Sequence, residues 1–240
     1  MLRSVAIYHG IPLRQARLRR FYSSFASRGD VVFDIGAHAG NRSRALAALG
    51  CRVVAVEPQP DFVRLLQTLF GRSPHVEIVE AAVGAAPGRA LLSVSHRHPT
   101  VTTMETAWRE TRRGEPGFSQ VRWDRQVDVS VTTLDALIER YGTPVFVKLD
   151  VEGAEPSVLA GLTSPIKTLS FEYLPSALDF AAQCVSRIGQ LGTYRYNWSI
   201  GESYRLASDR WLTPAELMAA LDTREAQRRA GDVYAKLAAG

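Results

Sequence analysis

The chain has 240 residues, 46% of them hydrophobic, and a formal charge of +5. That length suits one α/β domain over residues 1–240 with a single core, and no run approaches the roughly 18 apolar residues that span a bilayer. The positive balance is scattered and mostly Arg, with lysine only at Lys148, Lys167 and Lys236, so no nucleic-acid role is expected from charge.

Met1 to Arg20 carries five arginines and no apolar signal core, and Cys51 and Cys184 stand in no metal spacing. Both make the cytoplasm the default location. Leu2 to Ser27 reads as a helix, with Leu18, Phe21, Tyr22 and Phe25 in one apolar stripe. It is expected to cap the domain (residues 1–29), with a lid over the cofactor mouth as the sharper alternative. Val31 to Ile35 is then a strand carrying Asp34, followed by the turn Gly36-Ala37-His38-Ala39-Gly40, by Asn41 and Ser43, and by a helix over Arg42 to Leu49. Strand, glycine turn and helix form the nucleotide-facing corner of a doubly wound sheet. Gly36 can take positive φ and leaves room for a ligand, and Gly40 lets the helix start lie close to the strand.

The turn lacks the middle glycine of G-x-G-x-x-G, which a pyrophosphate needs for close backbone approach. That argues against an NAD-dependent oxidoreductase and for a nucleoside without phosphates. The second strand, Arg52 to Val56, ends at Glu57, whose carboxylate can accept both ribose hydroxyls. A turn for an amino-acid tail and an acid for a ribose together suggest S-adenosylmethionine. Pro58 and Pro60 enforce a turn, Asp61 is the expected N-cap of the next helix, and Val76 to Glu80 is strand three. Small Ala81, Ala82, Val83 and Gly84 then leave room for a flat adenine ring.

Ala90 to Ser95 reads as a short strand. Residues 96–126 are polar, with Pro99, Gly114, Pro116 and Gly117, and are expected to form a loop insertion near the substrate mouth. His96-Arg97-His98 lies there with no third metal ligand in obvious spacing. Val127 to Val131 is a strand, Thr132 or Thr133 caps a helix to Tyr141, and Val145 to Asp150 is a buried parallel strand. Glu152, Glu155 and Pro156 open a further helix, Thr168 to Tyr173 is a strand holding Glu172, and Ala177 to Leu191 is a helix. Tyr194 to Ile200 and Ser203 to Leu206 read as a hairpin about Gly201, and Thr213-Pro214 starts a last helix. The order gives a Rossmann-like sheet, α/β and mostly parallel, with an antiparallel C-terminal hairpin strand.

Asp34, Glu57, Asp150 and Glu172 fall at the strand ends where ligands of such sheets bind. Strand period puts Lys148, Asp150 and Glu152 on one side. Asp150 is the first candidate for positioning an acceptor and taking its proton, with Glu152 and Glu172 next, and Lys148 can keep these acids ionised. The same three carboxylates could hold Mg²⁺, but the pattern requires no metal. Gly36, Ala37, His38, Gly40 and Asn41 would shape the cofactor turn, with Asp34 orienting it or the cofactor amine. Glu57, Pro58 and Ala82 would meet the nucleoside.

Phe33-Asp34-Ile35-Gly36-Ala37-His38-Ala39-Gly40-Asn41, Val56-Glu57-Pro58-Gln59-Pro60, Thr133-Leu134-Asp135 and Val147-Lys148-Leu149-Asp150-Val151-Glu152-Gly153-Ala154-Glu155 before Phe171-Glu172 together resemble the FkbM family of methyltransferases. His38 departs from the pattern, where Asn is the usual residue. The resemblance implies O-methylation of a hydroxyl on a sugar, lipid-linked glycan or polyketide-type metabolite. The competing readings are a methyltransferase-fold binding protein without turnover and an RNA methyltransferase.

Overall fold

The computed structural model describes residues 12–95, 102, 103 and 121–238. The chain order is α1 (Pro12–Tyr22), β1 (Val31–Ile35), α2 (Asn41–Ala48), β2 (Arg52–Val56), α3 (Pro60–Phe70), β3 (Val76–Val79), β4 (Ala82–Val83), β5 (Gly88–Val94), β6 (Arg125–Thr132) and α4 (Leu134–Tyr141). Then follow β7 (Phe146–Leu149), α5 (Glu155–Ala160), β8 (Thr168–Tyr173), α6 (Leu178–Leu191), β9 (Tyr194–Ile200), α7 (Pro214–Leu221) and β10 (Gly231–Leu237).

Seven strands form one sheet in the order β3-β2-β1-β7-β8-β10-β9. The pairs β1–β2, β2–β3, β1–β7 and β7–β8 are parallel, and β10 runs antiparallel between β8 and β9. This is the mostly parallel α/β sheet with antiparallel C-terminal strands that the sequence leads one to expect. The second of those strands is different, however. Tyr194–Ile200 pairs with Gly231–Leu237, not with Ser203 to Leu206, which has no strand structure.

Chain order reverses between β1 and β7, because β2 lies to one side of β1 and β7 to the other. Loops leaving the carboxyl ends of these two strands therefore diverge and open a crevice. Side-chain alternation divides the core. Phe33, Ile35, Val147, Leu149 and Phe171 pack on the face covered by α6. Val32, Phe146 and Tyr234 pack on the other, beneath Leu18, Phe21, Tyr22 and Phe25. Phe25, just after α1, stacks on Phe146 at 5.4 Å and on Tyr234 at 5.2 Å, which holds this segment against the sheet; residues of the expected helix before Pro12 lie outside the described ones.

Helix α3 starts one step before its expected cap. Gln59 occupies the N-cap and Pro60 the first helical position, where a missing N–H costs nothing. Asp61 sits in the first turn, favourably placed for the helix dipole. Thr133 caps α4, accepting from the Ala136 amide at 3.1 Å, and Thr213 with Glu216 forms a capping box on α7. Strands β4, β5 and β6 make a separate small sheet, β4-β6-β5. Strand β6 begins at Arg125, two residues inside the polar stretch 96–126. Thr103 bridges back to Ser93; His96-Arg97-His98 and residues 104–120 lie outside the described residues. Among the described residues no helix is long and apolar enough to cross a membrane.

Candidate active site

The turn after β1 is held by backbone geometry. Gly36, His38 and Gly40 all take left-handed φ, at 77°, 48° and 75°, and His38 adopts it without glycine's freedom, a strain typical of functional turns. The amides of Gly36 and Ala37 donate to the Val56 carbonyl at 2.9 and 3.1 Å. A Cβ on Gly36 would lie 1.9 Å from the Asp150 carbonyl oxygen, so the missing side chain admits the neighbouring loop of β7. At Gly40 the close neighbours are Phe70 and Leu66 of α3 rather than the strand.

Glu57 is 2% exposed. Its carboxylate accepts from the His38 amide and the Gln59 amide, each at 2.9 Å. Burial raises its pKa, opposed by His38 and those two amides. Two accepted bonds leave the carboxylate further lone pairs. Beside it runs a narrow apolar slot lined by Val56, Pro58, Ala82, Val83 and Leu92, with Gly36, His38 and Asp150 also on its wall. Thr102 closes the slot from the insertion, donating its hydroxyl to Gln59 Oε1 at 3.1 Å.

A second cavity of about 290 Å³ opens on the other side of His38 and Asp150, which line both spaces. Glu152 and Glu172 sit on its wall, and ligand oxygens of these two and Asp150 lie within 4.8 Å of one another. Such a set is chemically competent for a hard cation. Asp150 pairs with Arg42 Nη1 at 2.9 Å. Burial raises the Asp150 carboxyl, but Lys148 and Arg42 outweigh it and bring it down to about 2. Glu152 is pushed well above the usual carboxylate range by burial, Glu172 and Asp150. Glu172 is pushed well up too, by burial and Asp150. Glu152 also holds a left-handed φ of 53°.

Glu172 therefore keeps its proton more tightly folded than unfolded. Stability from this group is full below the ordinary glutamate pKa and falls as pH rises through the raised value. Glu172→Gln removes that loss. It should melt a few degrees above the parent at pH 8, with the gap closing by pH 4; an equal gap at both pH values would refute the electrostatic account.

The structure thus brings Ala37, His38, Asn41, Asp150, Glu152 and Glu172 around one cavity and Gly36, Glu57, Pro58 and Ala82 around the slot. Three expected residues line neither. Asp34 is 0% exposed and accepts from Ser43 Oγ at 2.6 Å, so it holds the start of α2 beneath the turn. Gly40 packs on α3. Lys148, also 0% exposed, points its Nζ to Asp232 Oδ1 at 2.8 Å and to the Leu149 carbonyl at 2.7 Å, and so reaches the cavity wall only through Asp232. Sequence reasoning missed Arg42, Tyr22, Tyr204, Arg229 and Asp232, which complete the cavity wall. Arg42 stands two residues past the turn and was legible by position; Tyr22 arrives through α1, Tyr204 through the loop after β9, and Arg229 and Asp232 with the start of strand β10.

Comparison with known proteins identifies the family. The family described as Methyltransferase FkbM domain matches residues 34–195. A ribosomal RNA small subunit methyltransferase A from Phenylobacterium zucineum (strain HLK1) is 38% identical over 73 residues, 27% of this chain and 26% of that protein. The chain thus spans about a quarter of that relative's length. Among solved structures, precorrin-6y C5,15-methyltransferase from Geobacter metallireducens is 13% identical with a TM-score of 0.44, covering 94% of this chain and 86% of that one. A TehB-like SAM-dependent methyltransferase from Corynebacterium glutamicum is 10% identical with a TM-score of 0.46, covering 92% and 88%. With the family match running from Asp34 through Glu57 and the carboxylate trio to Arg195, the chain belongs to the FkbM family of S-adenosylmethionine-dependent methyltransferases.

Proposed function

We propose that the protein methylates a hydroxyl of a sugar, glycan or secondary metabolite. The observation that carries this reading is the joining of two spaces at His38 and Asp150, a narrow apolar slot beside Glu57 and a polar cavity walled by carboxylates. The residues fit the cofactor on one independent feature. Asn41 Oδ1, buried on the cavity side of the turn, has no hydrogen-bond partner among the described residues, and an amino group would satisfy it.

Glu57 would accept the ribose hydroxyls, the slot would take the adenine, and Asn41 would meet the amino-acid tail. Bound S-adenosylmethionine supplies an electrophilic methyl carbon; the chain must orient the acceptor and remove its proton. Asp150, held ionised, suits the first task as a hydrogen-bond acceptor. The raised carboxyls of Glu152 and Glu172 suit the second, because environments that drive neighbouring pKa values apart separate the positioning group from the base.

Glu57→Ala should weaken binding of S-adenosylhomocysteine about 100-fold, the loss of hydrogen bonds to a charged acceptor. Calorimetric titration measures it, and near-parental affinity would remove Glu57 from the ribose. Labelled methyl transfer to a panel of neutral hydroxylated acceptors and to a ribosomal RNA fragment tests the reaction. Transfer to a hydroxylated acceptor is expected. Transfer to RNA alone would replace this reading with the RNA-directed one that the ribosomal RNA methyltransferase relative suggests, and failure to bind the adenosyl ligand would favour a binding protein without turnover.

A further inference from the structure

Beyond the cavity rim lies a second groove of about 450 Å³ between α1 and the loop after β9. It is lined by Arg17, Arg20 and Arg205, with no acidic residue on its wall. All three arginines are exposed, and among the described residues none forms an ion pair. Helix α1 carries no acid at all. Like charges converging on one concave surface repel one another unless an anion neutralises them.

The groove and the cavity share one wall, Tyr204. This residue holds a left-handed φ of 49°, and two arginines of α1 fix it. Arg14 Nε donates to its hydroxyl at 3.0 Å, and the Arg17 guanidinium lies over its ring at 5.8 Å. Arg17 also donates Nη2 to the Ser203 carbonyl at 3.1 Å. One guanidinium is therefore pre-oriented, with its other N–H groups still to be used.

The geometry points to this groove as a phosphate subsite for the acceptor. Guanidinium groups recognise phosphate oxygens in paired, charge-assisted hydrogen bonds, and the shared Tyr204 places a bound phosphate beside the space where the hydroxyl is methylated. The acceptor class is then a hydroxylated small molecule that carries a phosphate ester at one end. This rests on the reading of the cavity as the acceptor site. A nucleic-acid backbone fits less well, because the neighbouring cavity wall holds Asp150, Glu152, Glu172, Glu202 and Asp232, and a polyanion crossing it would be repelled. Both walls of the groove lie outside the matched residues 34–195, and no residue of the groove lines the slot beside Glu57.

The test is calorimetric titration of the full chain, saturated with S-adenosylhomocysteine, with inorganic pyrophosphate at low salt. The parent should bind with sub-millimolar affinity and Arg20→Gln/Arg205→Gln about tenfold or more weakly, with unchanged affinity for S-adenosylhomocysteine and an unchanged melting temperature. A second arm compares hexose 1-phosphate with the free hexose; the parent should prefer the phosphate ester and the variant should lose that preference. Absence of pyrophosphate binding to the parent, or equal binding by the variant, overturns the subsite. Tighter binding of a short oligouridylate than of pyrophosphate, lost in the variant, overturns it in favour of RNA. The pyrophosphate arm needs no methyl acceptor, so it decides the groove even where the hydroxyl-methylation reading fails.

Discussion

Lys148→Met is expected to destabilise the protein by about 3–5 kcal/mol, a fall in melting temperature on the order of 10 °C for a chain of this size. Lys148 lies in the middle of the sheet with its side chain 1% exposed, and Asp232 opposite is 17% exposed. Burial pulls the ammonium down, but Asp232 and Asp150 more than offset it, so the group sits above its ordinary 10.5. A raised lysine contributes its full stability below the ordinary value and loses it as pH rises through the raised one, so the loss on substitution should be the same at pH 6 and pH 8.

Methionine fills the stem's volume but not its charge. Among the described residues Asp232 would keep a hydrogen bond from the Tyr234 hydroxyl at 3.4 Å, and Asp150 its ion pair with Arg42. The expense lies in the orphaned carboxylate rather than in the lost attraction, so Lys148→Met/Asp232→Asn should be more stable than Lys148→Met alone. Urea unfolding of the two variants measures this. A single-variant loss under about 1 kcal/mol would class the pair with solvent-screened ion pairs.

That pair also shows what the sequence could and could not convey. The parallel core was legible because each strand is a short apolar run that stops at an acid, and because glycine and proline mark the turns between them. Glu57, Asp150 and Glu172 were found for the same reason, since a strand end fixes where a side chain emerges. Strand period placed Lys148 beside the acids, as a group that can keep them ionised. Its partner, Asp232, lies in Gly231-Asp232-Val233-Tyr234, a stretch that reads as a polar tail because its strand pairs on both edges with segments distant in sequence. Ser203 to Leu206 read as a strand from local turn chemistry, although register is decided by the buried face. Tyr194–Ile200 finds that face against Val233 and Ala235. The cavity's outer wall was hidden likewise, since α1 and the loop around Tyr204 meet only after the sheet has closed.

Gly36→Ala should abolish measurable binding of S-adenosylhomocysteine and lower the melting temperature together. Two effects combine. Alanine at a φ of 77° costs about 1–2 kcal/mol. Its Cβ would also stand 1.9 Å from the Asp150 carbonyl oxygen and 2.9 Å from the carbonyl carbon. These are backbone atoms, so no rotamer change relieves the contact. The turn must shift or the strands β1 and β7 must part, although the Asp150 amide is tied to the Ile35 carbonyl at 2.9 Å. Either movement carries His38 and Asp150, which line both spaces, out of place. Gly40→Ala supplies the comparison. It has nearly the same φ, 75°, but its Cβ would meet the side-chain ends of Phe70 at 2.5 Å and Leu66 at 2.8 Å. Those can turn aside, so this variant should lose stability yet retain adenosyl-ligand affinity within about tenfold. Equal retention of affinity by both variants would mean that the Gly36–Asp150 contact does not hold the site. Loss confined to Gly36→Ala would identify it as the joint that sets the distance between the cofactor turn and the carboxylate trio.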